Sequence, residues 1–136
     1  MKALFDTNVI LDLLLDREPF SGDAARCLSR VEAGEIEGWL CASTVTTLYY
    51  LVKKSAGARK ARESITLLLS LFEIAPVNKI ALQGALQMPF KDFEDAVLHE
   101  AARLVNVDVI VTRNTVDFKH SSILVRLPVE FAMVKQ

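Results

Sequence analysis

The sequence predicts an α/β fold, three layers deep, with a short central parallel sheet between helices. Two observations predict it. Short apolar runs such as Ala3–Phe5, Gly38–Ala42 and Val107–Thr112 alternate with amphipathic stretches of helical spacing. Strands buried on both faces read as continuous apolar runs, and such strands belong to parallel sheets covered on both sides. Polar clusters close two of these runs, Asp6-Thr7-Asn8 and Thr112-Arg113-Asn114, at the sheet edge where α/β folds take their ligands. A single domain, residues 1–136, is expected from the chain length.

The elements follow in order. Ala3–Phe5 is a buried strand, and Val9–Leu15 resumes with helical spacing. Asp16-Arg17-Glu18-Pro19 interrupts it, because proline disfavours α geometry in the residue before it. Ser21 or Asp23 can cap a helix reaching Val31, which Gly34 ends. Gly38–Ala42 is the second strand, and Ser43 can cap a helix over Thr44–Lys54. Ser55-Ala56-Gly57 is a turn before a helix over Arg59–Phe72. Ile74–Val77 is a short extended piece. Asn78 opens a helix to Gln87, broken by Pro89, and Asp92–Val105 is the clearest helix of all. Val107–Thr112 is rich in β-branched residues and makes the third strand. Ile123–Val125 is a last strand before Pro128.

Composition excludes several classes. The chain is 51% hydrophobic with a net charge of −1, which is incompatible with disorder. Near-neutrality leaves no global field toward nucleic acid or membrane, so such a partner must meet a local patch. Cys27 and Cys41 make neither a disulfide framework nor a zinc quartet. Their free thiols suit a reducing, cytoplasmic setting. No apolar run approaches the ~20 residues of a membrane span, and Ala3–Phe5 is too short for a signal-peptide core. Glycine-rich phosphate loops, dinucleotide fingerprints and nucleophile elbows are absent. With only His99 and His120, a histidine-rich metal site is excluded as well.

Carboxylates remain. On a wheel of about 100° per residue, Phe93, Val97, Ala101 and Leu104 form the core side of the Asp92–Val105 helix. Asp92, Asp95, Ala96, His99 and Arg103 form the opposite side, with His99 read as beside the site or at the surface. Asp92 and Asp95 sit at i, i+3, where like charges repel. They can serve simply as cap and dipole partner. Asp6 changes that reading, because an aspartate ending a buried parallel strand lies at the ligand edge, and Asp117 can join from beyond the last strong strand. Oxygen-only clusters select hard ions such as Mg²⁺ or Mn²⁺, which orient a water and stabilise charge on a phosphodiester. Lys53–Arg62 holds five basic residues and no acid. It is either a phosphate-contact patch near the acids or a solvated helix end. Arg113 can contact a phosphate or pair with a nearby acid. Trp39, Tyr49 and Tyr50 can stack on bases or pack. Leu67–Leu69 with Leu71 and Phe72 exceeds one core stripe and suits an interface.

Taken together, these motifs resemble the PIN-domain family of Mg²⁺/Mn²⁺-dependent ribonucleases, which includes the VapC-type toxins. Leu4–Leu11, Lys91–Ala96, Val109–Asn114 with Asp117-Phe118, and Leu127–Phe131 carry the likeness over nearly the whole chain. The resemblance implies metal ligation by Asp6, Asp92 and Asp95, with Asp117 a further catalytic acid. It implies substrate-side roles for Asn8, Thr112 and Asn114, with Thr112 orienting the site and Asn114 standing where many members have an acid; Arg113, bordering the site, joins them as a candidate substrate contact. It further implies RNA as substrate, a small antitoxin as partner and a homodimer, while the short apolar runs lead to the expectation of no membrane partner. One departure is visible: where members carry an acid on the helix after the second strand, this chain has Thr47 or Tyr49. The alternative is therefore a degenerate, non-catalytic PIN module that binds RNA or a protein. A phosphoryl-transfer enzyme with Asp6 as nucleophile is disfavoured, since no second aspartate follows two residues on.

Overall fold

A computed structural model describes residues 1–133; residues 134–136 of the expected domain lie outside the described residues. Strands β1 (Lys2–Phe5), β2 (Glu37–Cys41), β3 (Glu73–Ala75), β4 (Val109–Val111) and β5 (Leu124–Arg126) form one parallel sheet in the order β3-β2-β1-β4-β5. Helices α1 (Thr7–Leu14), α2 (Ser21–Glu32), α3 (Ala42–Ala56), α4 (Ala58–Leu71), α5 (Lys79–Leu86), α6 (Phe93–Leu104) and α7 (Pro128–Met133) complete it, with a 3-10 turn at Thr115–Phe118. This is the three-layer α/β/α arrangement the apolar runs predict.

The central strand sets the layers. Ala3 and Phe5 of β1, with Val109 and Val111 of β4, pack under side chains of α1–α4 and α7. Leu4 and Ile110 face the opposite way, into a smaller core with Leu98, Ala101 and Ala102 of α6 and Phe118. Alternate residues of a strand point to opposite faces, so these six residues of two central strands anchor both layers. Phe5 makes edge-to-face contacts with Phe72 and Phe131, each at 5.8 Å between ring centres.

Some local expectations need correction. Neither Ser21 nor Asp23 caps α2; Phe20 holds the cap position and Ser21 is already its first helical residue. Ser43 does not cap α3, because the helix springs directly from the end of β2 with Cys41 at the cap. The Ser43 hydroxyl meets the Cys41 thiol at 3.2 Å instead. The turn expected at Ser55–Gly57 is compressed to Gly57, whose φ of +92° lets α3 pass directly into α4. The last strand ends at Arg126, and Pro128, two residues on, opens α7, a helix too short to show periodicity.

The wheel of α6 is also corrected. Phe93 and Leu104 are 49% and 39% exposed, whereas Ala96 through Ala102 are all buried. The sheet covers one side of α6, and α5 covers another through Ala85 against Ala96 and Val97. A helix covered twice has no single apolar stripe.

Candidate active site

The strand order reverses between β1 and β4, so the topological switch point lies at their carboxyl ends. Phe5 pairs with Val111 in the register, which brings the next residues, Asp6 and Thr112, side by side. The Asp6 N–H donates to the Val111 carbonyl at 2.9 Å, and the Thr112 N–H to the Arg126 carbonyl at 3.0 Å. The backbone thereby fixes both before their side chains interact.

Asp6 is 6% exposed and caps α1. Its Oδ1 accepts from the Thr7 N–H at 2.8 Å, and its Oδ2 accepts from the Thr112 hydroxyl at 2.8 Å and from Asn8 Nδ2 at 3.3 Å. The Thr112 hydroxyl in turn accepts the Asn114 N–H at 3.0 Å. Asn8 Oδ1 accepts the Arg113 N–H at 3.3 Å. Burial raises the Asp6 pKa above the ordinary carboxylate value. The Thr112 and Thr7 hydrogen bonds pull it back, while the charges of Asp92 and Asp117 add to the rise.

The first turn of α6 faces Asp6. Asp92 caps that helix, accepting the Asp95 N–H at 3.0 Å. Asp95 is pushed up to about 7, first by burial and then by the charges of Asp6, Asp92, Asp117 and Glu94. An open cleft of about 250 Å³ runs between these groups, lined by Asp6, Asn8, Arg17, Asp92, Asp95 and Asn114 among others. Asp117 contributes to the field felt by Asp6 and Asp95, but it lines a small adjoining depression with Lys91, Lys119 and His120.

Two residues expected on the substrate side do not face the cleft. Thr112 is fully buried behind Asp6, its hydroxyl engaged by Asp6 and Asn114. The Arg113 guanidinium turns away onto Asp12, at 2.7 Å, and stacks over the Phe20 ring at 3.9 Å. The acid-pairing alternative is the observed one. His99 is not at the surface: it is 1% exposed, between Glu100 and Ser122.

The basic run lies far from the acids. Its lysines Lys53 and Lys54 end α3, whose start abuts the site through Thr44, 3.1 Å from Thr7. At 1.5 Å per residue, Lys53 is roughly 16 Å from Ala42 along the axis. The run therefore sits well away from the start of α3, and none of it lines the cleft. Trp39 pairs with Glu37 and carries Lys2 over its ring, and Tyr49 packs edge-on to Tyr50; none lines the cleft. Leu68 and Phe72 enter the core, leaving Leu67 and Leu69 exposed.

Three side chains that sequence reasoning passed over belong to this region. Glu94 lines the cleft beside Asp95; its place within Asp92–Asp95 was the available signal. Arg17 reaches the cleft because Asp16 adopts a left-handed φ of +48° and turns the chain back. Asp12, 1% exposed, holds both Arg17 and Arg113.

The donor set here is oxygen only, the set that hard divalent cations prefer. Asp6 and Asp95 are pressed toward the neutral form by burial and by each other's neighbours, so a cation between them relieves that repulsion. Among the described residues no group of three or more carboxylate, imidazole or thiol side chains lies close enough together to hold a metal ion. An open arrangement suits Mg²⁺, which keeps several waters and takes one or two carboxylates. The carboxylates present therefore fit a hydrated ion.

Several known proteins are similar to this chain. Ribonuclease VapC1 of Aquifex aeolicus is 25% identical over 118 residues, 83% of this chain and 81% of that protein. A toxin–antitoxin complex from Klebsiella pneumoniae contains a chain that superposes with a TM-score of 0.70 at 26% identity, over 93% of this chain and 97% of that one. FitAcB from Neisseria gonorrhoeae shares the fold, with a TM-score of 0.71 at 22% identity over 93% and 97% of the two chains. The family model described as PIN domain matches residues 2–116, a span that runs from β1 through Asp6 and the acids of α6 to the residues beyond Thr112, and on that match the chain belongs to the PIN-domain family.

Proposed function

We propose that the cleft is the active site of a metal-dependent endoribonuclease that hydrolyses RNA phosphodiester bonds. The observation that carries this reading is the placement of buried Asp6 at the β1/β4 switch point, facing Asp92 and Asp95 across one open cleft. Asp6, Asp92 and Asp95 would hold one or two hydrated Mg²⁺ or Mn²⁺ ions, one or two carboxylates to each, with Asp117 adding negative charge from beside them. When bound, such an ion neutralises charge on the phosphodiester and acidifies an attacking water. The protein's own groups supply the rest. Thr112 and the Thr7 N–H fix the Asp6 carboxylate, Asn8 ties that pair to the strand ends, and Asn114 borders the cleft where substrate enters. The likeness to VapC1 and to a toxin–antitoxin complex supports a toxin role with an antitoxin as partner; a small antitoxin and a cytoplasmic homodimer belong to the same proposal.

A second reading has its own observation. No side chain of α3 lines the cleft, and the neutral Thr44 is what α3 offers nearby. Charge count tunes affinity for hard cations, so a non-catalytic RNA- or protein-binding module is the competing function. Cleavage of varied RNAs with Mn²⁺ or Mg²⁺ separates the two. Wild-type cleavage that requires metal and vanishes in Asp6→Asn and Asp95→Asn is the expected result. Absence of metal-dependent cleavage across those RNAs favours the binding module.

A further inference from the structure

Asp12 is 1% exposed and lies between two guanidinium groups. Arg113 donates to it through Nε at 2.7 Å and through Nη2 at 3.3 Å. Arg17 donates through Nε at 2.9 Å and approaches through Nη2 at 2.8 Å. One carboxylate neutralises one cation, so the group keeps a net positive charge. Its two ends differ in surroundings. Arg113 is 27% exposed and roofed by Phe20, while Arg17 is 39% exposed and lines the acidic cleft.

We infer that Arg17 is a binding site for a backbone phosphate of single-stranded RNA entering the cleft, with Asp12 and Arg113 fixing it in position. Among the residues lining the cleft, Arg17 is the one cation facing Asp6, Asp92, Glu94 and Asp95. A polyanion approaching four carboxylates needs a fixed positive group beside any bound ion. The Arg17 guanidinium is held from behind through Nε and Nη2, and its Nη1 has no hydrogen-bond partner among the described residues. A fork held on one edge and open on the other is preorganised for a phosphate oxygen. The fold holds it there: the Arg17 N–H donates to the Asp12 carbonyl at 2.9 Å, closing the chain reversal at Asp16. This inference rests on the nuclease reading of the cleft, since it assigns the substrate's backbone to that same site.

The test is binding of a fluorescent, mixed-sequence single-stranded oligoribonucleotide to the full chain as a function of KCl, without metal and with Mn²⁺. Arg17→Gln should weaken binding roughly tenfold, in line with loss of one charged hydrogen bond. It should also make the plot of log affinity against log salt shallower by about 0.7, one phosphate on a single strand. Arg17→Lys keeps the charge and should restore the slope. Lys60→Gln removes an equal charge from the basic run and should change neither quantity. Wild-type binding that Arg17→Gln leaves unchanged, in a variant with wild-type circular dichroism and urea midpoint, overturns the Arg17 site while the nuclease reading stands. An equal effect from Lys60→Gln also overturns it, by showing a net-charge effect without a local site. No RNA binding by the wild type at low salt overturns both.

Discussion

Thr112 Oγ1 donates a 2.8 Å hydrogen bond to Asp6 Oδ2, between residues 106 positions apart in sequence and adjacent across the β1/β4 register. The hydroxyl is fully buried and Asp6 nearly so. Asp6 thus owes part of its orientation to a neutral donor that does not itself line the cleft.

Thr112→Val keeps the shape and removes that donor. It leaves Asp6 with the Thr7 N–H and the longer Asn8 contact, and it strands the Asn114 N–H. An unmade buried hydrogen bond costs about 1–3 kcal/mol, so the urea midpoint should fall accordingly. The Asp6 pKa, already raised, should rise further when followed by carboxyl NMR, because the Thr112 hydrogen bond opposes burial. An unchanged titration would show that the hydroxyl does not hold the charged form.

Asp95 makes stability depend on pH and on divalent cations. Its folded pKa of about 7 lies above the ordinary 3.8. A raised pKa favours folding at low pH, and that advantage is lost as pH rises from about 4 through 7. In the absence of metal, Asp95→Asn should melt a few degrees above wild type at pH 8, with the gap closing toward pH 4. Mn²⁺ at pH 8 should raise the wild-type melting temperature and raise that of Asp95→Asn less. Equal melting curves at pH 8, with and without Mn²⁺, count against mutual repulsion across the cleft.

The parts of this site that were readable from sequence are those set by adjacent residues. Asp6 and Thr112 each follow a buried apolar run, and Asp92 and Asp95 open a helix, so strand ends and a helix start disclosed them. What was not readable depends on packing or on single dihedrals. The phase of α6 is hidden because sheet and α5 both cover it. Arg17 reaches the cleft through one left-handed residue, Asp16, in a stretch that reads only as a helix break. The basic run can be placed only once the length of α3 is known to carry Lys53 away from the site. Arg113 reads equally as a phosphate contact or an ion-pair partner until the burial of Asp12 beside it is known.

Gly84 is required by the charge buried beneath α5. A Cβ there would lie 2.6 Å from Glu100 Oε1. That carboxylate cannot swing aside freely, being held by Arg103 at 3.1 Å and by His99 at 2.9 Å. In an unconstrained helix Gly→Ala stabilises by about 1 kcal/mol. Here the overpacking term should win, and Gly84→Ala should lose about 1–3 kcal/mol in urea unfolding. A gain in stability would mean that α5 rides loosely on α6.

His99 ties α6 to the loop after the Asp117 turn. Its Nε2 accepts the Ser122 N–H at 3.1 Å, so that nitrogen carries no proton, and Nδ1 donates to Glu100 at 2.9 Å. Burial lowers the His99 pKa, only partly offset by Glu100. A lowered histidine pKa gives stability that is fully present above the ordinary 6.5 and is lost as pH falls below it. Asp95 acts in the opposite sense over part of this window, so the comparison belongs in the Asp95→Asn background. There the urea midpoint should drop between pH 6.5 and 5, and His99→Gln should flatten that drop. Gln places an acceptor near the Nε2 position and should keep Ser122 protected from hydrogen exchange. Asn places a donor near Nδ1 and should lose that protection, with faster tryptic cleavage after Lys119. Equal protection of Ser122 in the two variants would show that the loop is held by the Phe90–Phe118 ring contact at 5.6 Å and not by the imidazole.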